Sequence, residues 1–117
     1  MGTAGLAPGE ATDAVGAVLR HEPLPAEEVR SGAPTTAVRA LAEVGGVEVG
    51  IWEMTPGVAA DTESDEVFVV LAGRAHIAFD DADVADLDVG PGSVVRLAEG
   101  QRTVWTVTET LRKIYIA

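Results

Sequence analysis

The sequence predicts an all-β domain, a jelly-roll barrel carrying an N-terminal arm, and three observations predict it. From Thr35 onward apolar residues recur at every second position in short runs rich in Val, Ile and Thr, the period of strands and not of helices. Turn chemistry separates the runs: Gly45-Gly46, Thr55-Pro56-Gly57, Gly73, Asp80-Asp81, Gly90-Pro91-Gly92 and Glu99-Gly100. All five aromatic residues, Trp52, Phe68, Phe79, Trp105 and Tyr115, fall inside the runs, where a β-core places its largest side chains. Short strands at such spacing close into a barrel or a double sheet.

Taken in order, residues 1–21 read as a flexible leader, with Met1 to Gly9 rich in Gly, Ala and Pro. Part of it, Glu10 to Arg20, has helical spacing, with Ala14, Val15, Val18 and Leu19 on one side and Gly16 weakening it. Residues 22–117 form the domain proper. Its arm, to Pro34, is kept irregular by Pro23, Pro25 and Pro34 apart from a helical turn at Glu27 to Arg30. Strands follow at Thr36–Glu43, Val47–Met54, Glu66–Ala72, Ala75–Phe79, Ala85–Val89, Ser93–Leu97, Arg102–Thr108 and Leu111–Ile116. The stretch Thr62 to Gly73 is the centre of the pattern: acids, then an apolar run, then a glycine that reads as a tight turn. Alternation puts Glu66, Phe68 and Val70 on one face, so a single carboxylate shares a face with core residues. Such a group sits at a wet mouth or is paired, because an unpaired buried charge is too costly.

Composition excludes several classes. A chain of 117 residues with 47% hydrophobic content is one domain, able to bury about two-thirds of its unfolded surface. The net charge of −11 repels phosphate backbones and anionic lipid, so neither nucleic acid nor a membrane is an expected partner. No apolar run approaches the ~20 residues of a membrane span, and no signal-peptide pattern opens the sequence. The absence of cysteine removes disulfides, thiolate metal sites and thiol nucleophiles. A cytoplasmic location is the expectation by elimination.

Several blocks in order carry a resemblance. Gly50-Ile-Trp-Glu-Met-Thr-Pro-Gly57 with Asp65-Glu-Val-Phe-Val-Val-Leu-Ala-Gly-Arg-Ala75 resembles the first half of a small cupin. Gly90-Pro-Gly-Ser-Val-Val-Arg-Leu-Ala-Glu-Gly100 with Thr103-Val-Trp105 and Arg112-Lys-Ile-Tyr115 resembles the second half. Together they are similar to the single-domain cupins that include the ureidoglycine aminohydrolase-like and ethanolamine-utilisation proteins. The resemblance implies a cupin-type double-stranded β-helix and a homodimer, but no particular reaction.

It also implies a metal pattern, and here that pattern fails. Counted back from Gly73, Glu66 takes the glutamate position, but Ala60 and Thr62 stand where two histidines belong and Thr103 where a third belongs. One carboxylate and two hydroxyls are poor ligands for zinc, iron or nickel, so no metal or other cofactor is expected. The acids Asp80, Asp81, Asp83, Asp86 and Asp88 lack calcium-loop spacing and read as a solvated hairpin tip. His21 and His76 match no ligand position and read as structural or surface residues.

What remains is a metal-free pocket. The resemblance turns Thr103 inward, and alternation takes Trp105 with it; Glu66 takes Phe68, and Lys113 shares a face with Tyr115. The expected lining is Trp52, Thr62, Glu66, Phe68, Thr103, Trp105, Lys113 and Tyr115, apolar with a few polar groups, as ligand sites are. The plain alternative is a barrel filled by its own side chains, with Glu66 in a structural ion pair. Three functions follow. The first is binding of a small polar molecule, sugar-like or ureide-like, oriented by Glu66 and Lys113 and stacked on Trp105 or Trp52. The second is a hydrolase or isomerase with Glu66 as general base and Tyr115 or Lys113 as general acid. The third is an accessory scaffold with a filled barrel.

Overall fold

The computed structural model describes residues 5–117 and contains nine strands: β1 (Glu22–Pro23), β2 (Val29–Ser31), β3 (Thr35–Val44), β4 (Val47–Met54), β5 (Gly57–Thr62), β6 (Glu66–Phe79), β7 (Leu87–Val89), β8 (Val94–Leu97) and β9 (Arg102–Ile116). All pairings are antiparallel. Two long strands, β6 and β9, pair along their lengths and bend together, so each takes part in two sheets. Their Glu66–Val70 and Leu111–Ile116 ends join β8, β4, β3 and β1. Their Ala75–Phe79 and Arg102–Val107 ends join β7, β5 and β2. The two sheets face each other over one core, the jelly-roll arrangement that the spacing of turns predicts.

Gly73 forms the corner, and here the structure corrects the sequence reading of a turn. It has φ +89°, and an added Cβ would lie 2.0 Å from the Thr110 carbonyl oxygen. The β6–β9 register slips around this point, between Val70 and Ala75. The chain bends without reversing, because β9 bends alongside and keeps the backbone paired. The segments 66–72 and 75–79 are therefore one strand, as are 102–108 and 111–116.

Two further corrections concern the N-terminal half. Residues 57–62, assigned to no strand, form β5, and the arm contributes the short β1 and β2. The stretch from Glu10 to Arg20 makes no helix. Asp13 accepts the amides of Val15 and Gly16 on its side chain and that of Ala17 on its carbonyl, making a turn that competes with helix. Residues 1–4 of the expected leader lie outside the described residues. Its remainder is fastened to the outside of β9, where the Arg112 guanidinium donates to the carbonyls of Ala14, Val15 and Ala17 at 2.7–3.0 Å. Ala37, Leu41 and Ile51 are buried but stand outside the main core cluster; Ile51 is on the opposite face of β4 from Trp52, on the leader's side of the sheet. Among the described residues no helix is long and apolar enough to cross a membrane.

Candidate functional site

The inner face is read from lateral partners. Val38, Trp52, Lys113 and Val70 form one row across β3, β4, β9 and β6, and Gly50, Tyr115 and Phe68 form the next. Gly50 is required there because a Cβ would meet the Tyr115 ring at about 2.5 Å. In the second sheet the inward rows are Ala59, Trp105 and Ile77, then Asp61, Thr103 and Phe79.

Lys113 is the centre of the site. Only 5% exposed, it donates from Nζ to Glu66 Oε2 at 2.6 Å. The same ammonium lies 4.2 Å from the Phe68 ring centroid, 4.6 Å from Trp52 and 5.1 Å from Trp105. Trp105 packs obliquely on both Trp52 and Phe68, with centroids 5.7 and 5.6 Å away. One cation is thus held by one carboxylate and three π faces, which together offset its desolvation.

A second cluster stands beside it. Glu63, 6% exposed, accepts on Oε2 the Thr103 hydroxyl at 2.7 Å and the Trp105 Nε1 proton at 3.0 Å. The Tyr115 hydroxyl donates to Glu48 Oε2 at 2.5 Å. Burial, then Glu48, push the Tyr115 phenol above its ordinary range. Above these groups opens a cavity of about 350 Å³, reached by Trp52, Trp105, Glu63, Glu66, Lys113 and Tyr115 and rimmed by Leu24 and Glu28 of the arm and by Asp61. Asp61 sits at the mouth, open to water but surrounded by the concave wall. Burial by that wall, then the charge of Glu63 and to a lesser degree that of Glu28, raise its carboxyl to about 6; the Thr62 amide and, least of all, Lys113 act the other way.

The expected lining is partly corrected. Thr62 is exposed on the outer face, because β5 parity turns Ala59 and Asp61 inward and Ala60 and Thr62 outward. Phe68 and Thr103 are buried behind the wall and do not reach the cavity. Glu63 and Asp61 were missed. In the acid-rich run from Asp61 to Glu66 strand alternation turns only Glu66 inward, and only the placement of β5 shows which other acids turn in. The inward positions opposite Thr103 hold Ala59, Asp61 and Glu63, with no imidazole, and Glu66 is committed to Lys113. Among the described residues no group of three His, Asp or Glu side chains is placed to hold a metal ion. The cupin metal does not fit these residues.

Residues 41–115 match the model of the EutQ-like cupin domain. The chain belongs to the EutQ-like cupin family. Solved structures agree on the fold of this cupin. The EutQ protein of Clostridium difficile superposes with a TM-score of 0.60 at 20% identity, over 71% of this chain and 67% of that one. A putative ethanolamine utilization protein Q from Salmonella typhimurium LT2 gives 0.60 at 14% identity, over 86% of this chain and 97% of that one. A protein of unknown function of the DUF861 family from Pseudomonas syringae pv. tomato gives 0.75 at 25% identity; it matches 92% of this chain, which spans 46% of that one. No curated protein matches.

Proposed function

We propose that this EutQ-like cupin binds a small polar molecule at the mouth of its barrel without a metal. The observation that carries this is the cavity of about 350 Å³, a volume at the lower end of ligand sites, with two indole walls and polar groups converging from β4, β5 and β9. A flat, hydrogen-bonding ligand of sugar-like or ureide-like skeleton suits such walls, stacking on Trp52 or Trp105. Lys113 and Glu66 close the bottom, so the barrel is filled at its base and open above.

The enzymatic reading has less support. Glu66 as a base has to give up a 2.6 Å bond to an ammonium, and the raised Tyr115 phenol is a weak acid at neutral pH. Homodimerisation belongs to the proposal as well, with Val44 (69% exposed) and its β4 partner Val47 (39% exposed) as its apolar support. The charge of −11 supports a soluble protein that binds neither nucleic acid nor anionic lipid, and a cytoplasmic location is proposed with it.

A fragment screen by ligand-observed NMR tests the binding site. Compounds that bind are expected to lose saturable binding in Trp52→Ala and to keep it in Val94→Ala, a change on the outer surface. Binding that survives Trp52→Ala unchanged places the site elsewhere.

A further inference from the structure

The charge of the cavity wall narrows the ligand class; this inference rests on the cavity being a binding site. Five carboxylates, Glu28, Glu48, Asp61, Glu63 and Glu66, line it against one cation, Lys113. Lys113 is already neutralised by Glu66 and enclosed by three rings. Glu48 holds the Tyr115 hydroxyl. Asp61 and Glu63 make no ion pair among the described residues.

Glu63 decides the matter. It is 94% buried, yet both of its hydrogen bonds fall on Oε2 and come from neutral donors, the Thr103 hydroxyl and the Trp105 indole. Oε1 accepts nothing from the described residues. Every fully buried side-chain oxygen and nitrogen among those residues has a partner, so Oε1 is not sealed in protein. The space that Glu63 lines is the cavity. A carboxylate oxygen so placed, with no cation of its own, is a strong acceptor left open.

We infer that the ligand is a cation, a small primary amine or amidine. Its charged nitrogen meets Glu63 Oε1 and Asp61, and its apolar body lies on Trp52, Trp105 and Leu24. Carboxylates beside indole faces recognise ammonium groups through both charge and cation–π attraction. Anions are repelled by the same wall. The raised Asp61 carboxyl agrees: beyond burial, Glu63 and Glu28 destabilise its charge, and Lys113 is the one cation that opposes them, beside the neutral Thr62 amide. A bound ammonium relieves that repulsion, so binding weakens as pH falls through about 6 and Asp61 takes up a proton. Sugar-like or ureide-like skeletons remain compatible when they carry an amino group.

Calorimetric titration with three molecules of one shape tests this: cyclohexylamine, cyclohexanol and cyclohexanecarboxylate. The amine is expected to bind at least about tenfold more tightly than the alcohol, and the carboxylate not at all. Glu63→Gln should cost the amine about tenfold and leave the alcohol within about twofold. Asp61→Asn, a change at the open mouth, should cost the amine severalfold and decides the matter if Glu63→Gln does not fold. Equal affinity for amine and alcohol, preference for the carboxylate, or an amine indifferent to Asp61→Asn overturns the cationic assignment while the cavity stands as a site. Binding of none of the three up to about 20 mM overturns the site with it.

Discussion

The Lys113–Glu66 pair gives the sharpest prediction about energetics. Lys113→Met leaves Glu66 in a side-chain environment that is 14% exposed, with no other ion-pair partner among the described residues. Stranding one partner of a buried pair costs about 3–5 kcal/mol, which for a domain of this size corresponds to a fall in Tm of roughly 12–20 °C. Glu66→Gln strands Lys113 instead, but the ammonium keeps three ring faces at 4.2–5.1 Å. At about 0.5–1 kcal/mol or more for each face, it should cost roughly half as much. The double variant removes both charges and should recover most of the loss, because apolar replacement of a buried pair is often near neutral. Urea denaturation of the four proteins at pH 7 gives the cycle, with an expected coupling of at least about 1.5 kcal/mol. Additivity to within about 0.5 kcal/mol would refute the account of a mutually dependent buried pair.

Three other outcomes follow from named groups. Gly73→Ala should abolish folding or lower Tm by more than about 10 °C, since it combines a left-handed φ with a Cβ driven into the Thr110 carbonyl; a thermal melt close to that of the parent protein contradicts the corner geometry. Asp61→Asn should raise Tm at pH 7, much less at pH 4 where the unfolded carboxyl is still partly ionised, and leave it unchanged near pH 3. A carboxyl whose folded pKa is raised to about 6 costs stability once it ionises and costs none where both states are protonated, so a stabilisation that grows on acidification contradicts the assignment. Elemental analysis of dialysed protein should find far less than one transition metal per chain, given Ala59, Asp61 and Thr103 at the inward positions; about one retained ion contradicts the misfit.

Much of the fold was legible because period-two patterning is strong where one face is buried. Glu66, Phe68 and Val70, then Thr103 and Trp105, alternate cleanly, and their inward direction agrees with the lateral rows of the two sheets. Legibility failed where side chains are small or where bending replaces turning. Val58-Ala-Ala carries almost no apolar alternation, so β5 escaped notice, and with it the frame that turns Asp61 in and Thr62 out. Gly73 signals left-handed backbone in a turn and in a corner alike; only the simultaneous bend of β9 tells them apart. Glu63 was hidden for a different reason. Its burial depends on Thr103 and Trp105, 40 and 42 residues away, so no local pattern could separate it from the exposed Ser64 and Asp65.

The central claim is that the cavity above Lys113 is where a ligand sits, and the two indole N–H groups report on it. The chain has two tryptophans, both in the wall, and Trp105 Nε1 donates to Glu63, the carboxylate assigned to the ligand. Titrating 15N-labelled protein with cyclohexylamine should move both indole cross-peaks along saturable curves with one shared Kd. The Trp105 shift should be lost in Glu63→Gln or, failing that variant, reduced in Asp61→Asn. Indole peaks that stay still while backbone peaks on the outer face move would contradict the claim.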